Sequence, residues 1–158
     1  MLRLDIPGRE EPLEIEHLVL DVNGTIALDG AVLPGLTRSL RDLEPLGFHI
    51  VAMTADTHGT ADTLRESLGI EVKVIERGDE ERQKAAYVEW LGADRVVAIG
   101  NGANDAAMLA TAAVGICVIG GEGAAGRTVA AADVVTTGID SALELLSHPA
   151  RLVATLRR

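Results

Sequence analysis

The segment 18-LVLDVNGTIALDG-30 decides how the rest of this chain is read. Three apolar residues lead to one carboxylate, Asp21, and the run then breaks at Asn23-Gly24-Thr25. Leu18, Val19 and Leu20 would be apolar on both faces of a strand, the pattern of a strand covered on both sides in a parallel sheet. An aspartate at the end of such a strand can be a nucleophile, a metal ligand or a strand terminator. The segments around it choose among these.

Comparable runs recur at 48-FHIVAM-53, 70-IEVKVI-75, 95-RVVAIG-100, 114-VGICVI-119 and, more weakly, 133-DVV-135. Helical spacing joins Leu36, Leu40 and Leu43, then Ala61, Leu64 and Leu68, then Ala85, Val88 and Leu91. Pro149 marks the first turn of a last helix running to Arg157 and Arg158. Strands alternating with helices predict an α/β fold in three layers, a mainly parallel sheet with helices on both faces. Residues 1–158 are read as one domain, with 1–16 as an N-terminal extension able to turn back as a hairpin at Pro7-Gly8.

Composition narrows the class. Hydrophobic residues make up 47% but aromatics only 2%, so the core must be aliphatic. A net charge of −10 argues against nucleic-acid or anionic-membrane partners, which need basic surfaces. The single cysteine, Cys117, lies in an apolar run and reads as a small core residue. Charges and prolines in the first sixteen residues do not make a signal peptide, and no apolar run approaches the ~20 residues of a membrane span. The expectation is a cytoplasmic protein. His17, His49, His58 and His148 lack metal-ligand spacing and read as ordinary surface or edge residues.

Ligands of open α/β sheets bind at the carboxyl ends of the strands. There the chain places Asp21, then Thr54 within 53-MTADT-57, then Asn101, Asn104 and Asp105 within 99-IGNGANDAAML-109; Lys84 lies on the helix before that loop. A carboxylate, a hydroxyl, an ammonium and an acidic-amide loop together suit a phosphoryl group and a hard cation. Asp21 can attack phosphorus, Thr54 and the loop amides can bind its oxygens, and Lys84 can offset their charge. Mg²⁺, which takes oxygen ligands and keeps waters, fits between Asp21 and the Asn101–Asp105 loop. Singly these signals are weak: Thr is common at strand ends, lysines usually solvate helices, and Asn-rich glycine turns cap helices.

In order, however, 21-DVNGT-25, Thr54, Lys84 and 100-GNGAND-105 resemble the four motifs of the haloacid dehalogenase (HAD)-like superfamily. The stretch 105–135 further resembles the phosphorylation domain of P-type ATPases and its soluble relatives, so the likeness covers about residues 17 to 146. The resemblance implies Asp21 as the nucleophile forming an aspartyl-phosphate, and a Mg²⁺ cofactor. Phosphate would be held by Asp21, Gly24, Thr54, Ala55 and Lys84. Asp21, the main-chain carbonyl of Asn23 and Asn101 would ligate the metal, with Asp105 behind them holding the loop. A short flap hairpin would begin at 26-IALDG-30, turning at Asp29-Gly30. About thirty residues separate Asp21 from Thr54, and again Thr54 from Lys84, which leaves no room for a cap domain. An open site implies a small phosphorylated substrate or a phosphoprotein, with assembly into a homo-oligomer left open. Membrane helices and a nucleotide-binding domain do not fit within these residues, so ion pumping is not expected of this chain alone.

Two positions depart from the family pattern. Asn23 stands where family phosphatases carry the aspartate that shuttles protons, and Asn101 replaces an aspartate at the metal. A slow hydrolase or a degenerate, non-catalytic domain that binds phosphate or a protein partner are the two consequences. A third reading comes from 121-GEGAAG-126, which fits a dinucleotide loop, with Asp140 or Glu144 as the ribose acid. It follows the fifth strand rather than the first, which weighs against it. Asn23→Asp is expected to raise turnover, since acid–base help is worth about 10²–10⁴-fold, and Asn101→Asp to lower the Mg²⁺ requirement; steady-state kinetics on an aryl phosphate checks both.

Overall fold

A computed structural model describes residues 1–56 and 58–158, so Thr57 of the 53–57 segment and the side chain of His58 lie outside the described residues. Among the described residues there are ten strands: β1 (Leu2–Leu4), β2 (Leu13–Ile15), β3 (His17–Asp21), β4 (Ala27–Leu28), β5 (Ala31–Val32), β6 (His49–Thr54), β7 (Glu71–Val74), β8 (Val96–Gly100), β9 (Val114–Val118) and β10 (Val134–Thr136). Seven helices accompany them: α1 (Leu36–Arg41), α2 (His58–Leu68), α3 (Glu80–Leu91), α4 (Ala106–Thr111), α5 (Gly126–Ala131), α6 (Ile139–Ser147) and α7 (Pro149–Leu156).

Six strands form one sheet in the order β10-β9-β8-β3-β6-β7, and every neighbouring pair is parallel. The uninterrupted apolar run of β3 explains its central place. Leu18 and Leu20 pack into the larger core with α1, α2, α6 and α7, whereas Val19 faces a second core with α3 and α4. Alternate residues of one strand thus serve both layers, as an α/β sheet requires. From β3 the chain winds outward through β6 to β7, then crosses to β8 on the other side of β3 and winds outward again. That reversal opens a crevice at the carboxyl ends of β3 and β8, the switch point where such sheets take ligands.

Two small sheets flank the main one. β1 and β2 pair antiparallel with Leu4 opposite Leu13, and bury Leu2, Leu4 and Ile15 in the larger core. β4 and β5 form the flap that follows β3, turning at Asp29 (φ 51°) and Gly30 (φ 81°). Two successive left-handed residues give the twist that a two-residue hairpin needs. Among the described residues this flap is the whole insertion between β3 and α1, and there is no cap domain.

Element boundaries differ from the sequence reading where proline intervenes. α1 ends at Arg41, so Leu43 is buried outside it, at the head of a 3-10 turn, Glu44–Leu46. Pro45 disfavours helix for the residue before it, which breaks the expected Leu36-Leu40-Leu43 stripe. α7 starts at Pro149 and stops at Leu156, leaving Arg157 and Arg158 beyond it. His17 and His49 are more than edge residues: neighbours in register on β3 and β6, they bring Nδ1 atoms within 3.2 Å, and Glu71 lies 2.8 Å from His49 Nε2. They stand at the amino ends of their strands, remote from the crevice.

Gly115 of β9 shows how closely helix and sheet approach, because a Cβ there would collide with the main-chain carbonyl of Leu109 in α4. Backbone cannot yield as a flexible side chain does. Gly115→Ala is expected to lower stability by about 1–3 kcal/mol, measured as a shifted urea midpoint with an unchanged slope.

Candidate active site

The crevice gathers the sequence-predicted residues from four elements. Asp21 closes β3 and Thr54 closes β6, both buried; Lys84 reaches in from α3; Asn101 and Asp105 come from the loop after β8. Lys84 Nζ donates to Asp21 Oδ1 at 2.6 Å and to Asp105 Oδ1 at 2.7 Å. Its side chain is only 3% exposed, so this is a buried ammonium between two carboxylates rather than a solvated helix lysine. Asp105, fully buried, receives the main-chain N–H groups of Asn101 and Gly102 on Oδ2, at 3.0 and 2.9 Å. Both of its oxygens are therefore occupied, and it fixes the loop and the lysine from beneath.

Thr25, buried and unassigned by the sequence beyond its place in the motif, ties the site together. Its hydroxyl lies 3.1 Å from Asp21 Oδ2 and 3.2 Å from Asn101 Oδ1. One hydroxyl hydrogen cannot satisfy both oxygens at once. Two buried carboxylates, Asp21 and Asp105, also face the single charge of Lys84. A hard divalent cation would correct both deficits, so these residues fit Mg²⁺. Among the described residues no three His, Cys, Asp or Glu side chains gather as a metal cluster. A cation here would thus lean on Asp21, the Asn101 amide oxygen, main-chain oxygen and water, which suits an ion that keeps part of its hydration.

Other expected roles are sorted by geometry. The Gly24 N–H donates to Ala27 O at 2.7 Å and closes the flap, so that amide is engaged within the chain. Gly24 also sits at φ 81°, and a Cβ there would strike the Glu122 carboxylate and the Asn101 side-chain amide. Thr54 accepts the Asp56 N–H at 3.1 Å, and among the described residues its own hydroxyl hydrogen has no acceptor; it lines the crevice together with Ala55. Asn23, exposed, donates from Nδ2 to Asp56 Oδ2 at 3.2 Å.

Asp56, Arg77, Glu80 and Glu122 line the same crevice, of about 550 Å³, and none of them is among the sequence-predicted site residues. Asp56 is legible two positions after Thr54. Glu122 lies inside the glycine run weighed as a dinucleotide loop. That loop follows β9 and leads only into the six-residue α5. Asp140 and Glu144, on α6, are engaged by Ser39 at 3.1 Å and Arg151 at 2.7 Å. The run 121–126 brings Glu122 to the wall of the crevice.

The electrostatics follow from burial. Desolvation, then the charge of Asp105, push Asp21 up to about 6 although Lys84 and Thr25 pull it down. Burial alone would lower Lys84, but Asp21 and Asp105 outweigh it and hold the ammonium above its ordinary range. At neutral pH the site therefore holds an ionised Asp21 beside a firmly charged lysine.

A family model described as a haloacid dehalogenase-like hydrolase matches residues 2–113. An uncharacterized protein of Methanocaldococcus jannaschii is 49% identical over 63 residues, 40% of this chain and 68% of that protein. The ATP-binding subunit of a potassium-transporting ATPase from Deinococcus radiodurans is 29% identical over 102 residues, 65% of this chain but only 15% of the subunit. Among solved structures, the 3-deoxy-D-manno-octulosonate 8-phosphate phosphatase of Moraxella catarrhalis, in complex with magnesium, phosphate and its sugar, shares the fold at a TM-score of 0.70. That likeness covers 90% of this chain and 94% of the other at 18% identity.

A carboxyl whose pKa is raised on folding binds its proton more tightly in the folded state. Between the ordinary value of 3.8 and about 6, rising pH therefore destabilises the fold through Asp21; the penalty is complete above that window and absent below it. In chelator-treated protein, the melting temperature of Asp21→Asn minus that of wild type is expected to grow as pH rises from about 4 to about 6. Thermal melts across that range check it.

Proposed function

The chain belongs to the haloacid dehalogenase-like hydrolases, and from that membership we propose that it is a Mg²⁺-dependent phosphatase or phosphotransferase acting through Asp21. The observation that carries the reading is the Lys84 ammonium bonded to both Asp21 and Asp105 at the sheet's switch point. Lys84 keeps Asp21 ionised and aimed, while Asp105 prevents the lysine from neutralising the nucleophile entirely. The Thr54 hydroxyl and the Ala55 main-chain amide, both on the crevice wall, would donate to phosphoryl oxygens. Mg²⁺, held by Asp21, the Asn23 carbonyl and Asn101, would supply countercharge to the phosphoryl group.

In this reading an Asp21 carboxylate oxygen bonds to phosphorus as the bond to the leaving oxygen breaks. Water then attacks the aspartyl-phosphate, releasing inorganic phosphate and restoring the carboxylate. The Asn23 amide can hydrogen-bond the leaving oxygen but gives it no proton, which must come from solvent, and the same amide cannot activate the water. Turnover is accordingly slow, and the phosphorylated state is long-lived. The open crevice admits a small phosphorylated compound or a phosphorylated residue on a protein surface. Among the described residues no helix is long and apolar enough to cross a membrane; a cytoplasmic location and assembly with further copies are part of the proposal.

A second reading, a phosphate-binding or protein-binding domain without turnover, is favoured by the two amides Asn23 and Asn101 in place of carboxylates. Hydrolysis of an aryl phosphate with Mg²⁺ separates the two. Wild type is expected to turn over and Asp21→Asn to lose at least about 10³-fold, the scale of removing a nucleophile. Equal rates in both proteins would sink the first reading. Tight, Mg²⁺-dependent binding of beryllium fluoride by wild type alone would reject the second.

A further inference from the structure

The missing charge at Asn101 has a counterpart nearby. Asn101 Nδ2 donates to Gly123 O at 3.2 Å, and its main-chain carbonyl receives the Ala125 N–H at 2.9 Å. Both contacts bind Asn101 to the turn after β9, which closes on itself through Gly123 N to Gly120 O at 2.9 Å. That turn carries Glu122, whose carboxylate shares the space above Gly24 with the Asn101 amide. Among the described residues the Glu122 carboxylate makes no hydrogen bond or ion pair with any protein group, yet it lines the crevice. An aspartate at 101 would direct a second acceptor oxygen at the Gly123 carbonyl. The amide is therefore the side chain that this turn accepts, and an acid is supplied one residue away from the carbonyl it bonds.

We propose that Glu122 is the carboxylate that completes the divalent-cation site in place of the acid that position 101 lacks, meeting the cation directly or through one of its waters. This rests on the phosphotransfer reading of the same crevice. Asp21 and Glu122 then supply the negative charge, Asn101 a neutral oxygen, and the turn 120–123 becomes part of the binding site rather than a connector. Asn101→Asp alone would set a carboxylate against both Gly123 O and Glu122, so it should bind the cation no better than wild type, contrary to what the motif suggests by itself.

Mn²⁺ titrated into the full chain without substrate, followed by water-proton relaxation, tests the assignment independently of turnover. Glu122→Gln preserves shape and should weaken Mn²⁺ about 10- to 100-fold, as loss of a metal-supporting partner does. Glu80→Gln removes another carboxylate of the crevice, one already receiving the Gly78 N–H at 3.1 Å, and should change affinity less than about 3-fold, since ordinary surface charges contribute little. Asn101→Asp combined with Glu122→Gln should recover much of the lost affinity. Equal affinity in wild type and Glu122→Gln, with Asp21→Asn weakened, would overturn the role of Glu122 and leave the phosphotransfer reading intact. Equal weakening by Glu80→Gln would overturn it too, as a diffuse field effect. Failure of wild type to bind Mn²⁺ at all would overturn both readings. Circular dichroism melts of each variant separate weakened binding from lost fold.

Discussion

Everything in the crevice depends on one buried ammonium held between two carboxylates. Lys84 comes from α3, Asp21 from the end of β3 and Asp105 from the loop after β8, so the triad pins a helix to two adjacent strands. Buried ion pairs recover their desolvation only when geometry is close and the remaining lone pairs are satisfied. Here Asp105 uses its second oxygen on two main-chain N–H groups, and Asp21 uses its second on Thr25. The arrangement still carries one negative charge more than the lysine can balance. A bound cation would relieve that imbalance, so the triad by itself is a weak source of stability.

The same geometry assigns the tasks of neighbouring residues. Gly24 is where flap, loop and turn converge, with Glu122 and Asn101 against its Cα. Thr54 is kept by a local bond from the Asp56 N–H. Asn23 is drawn outward to Asp56, which holds its amide at the mouth of the crevice. On the proposed reading, the side chains that would grip a phosphoryl group are present, and an amide stands where a proton-moving acid would act. The chain spans only 15% of the potassium-transporting ATPase subunit it resembles.

Much of this is legible in the chain itself. The apolar run of β3, the order of Asp21, Thr54, Lys84 and the 100–105 loop, and the Asp29-Gly30 turn are local patterns, and local patterns survive folding. Leu43 misleads because helical spacing does not register that Pro45 will end the helix early. Glu122 is harder for a different reason. Which turn residues reach a site depends on strand order, and the placement of β9 beside β8 is not written in any spacing. The use of the Gly24 amide by Ala27, and of one Thr25 hydroxyl by two oxygens, likewise emerges only from three-dimensional competition for hydrogen-bond partners.

The flap meets the turn after β9 beside its own bend at Asp29-Gly30. Leu28 of β4 leans so closely on Gly121 that even a methyl group there would lie 2.7 Å from it. Gly121 precedes Glu122, so flap and turn share a hinge plate. Leu28 therefore covers the main chain that carries Glu122, and any side chain at 121 would have to displace it.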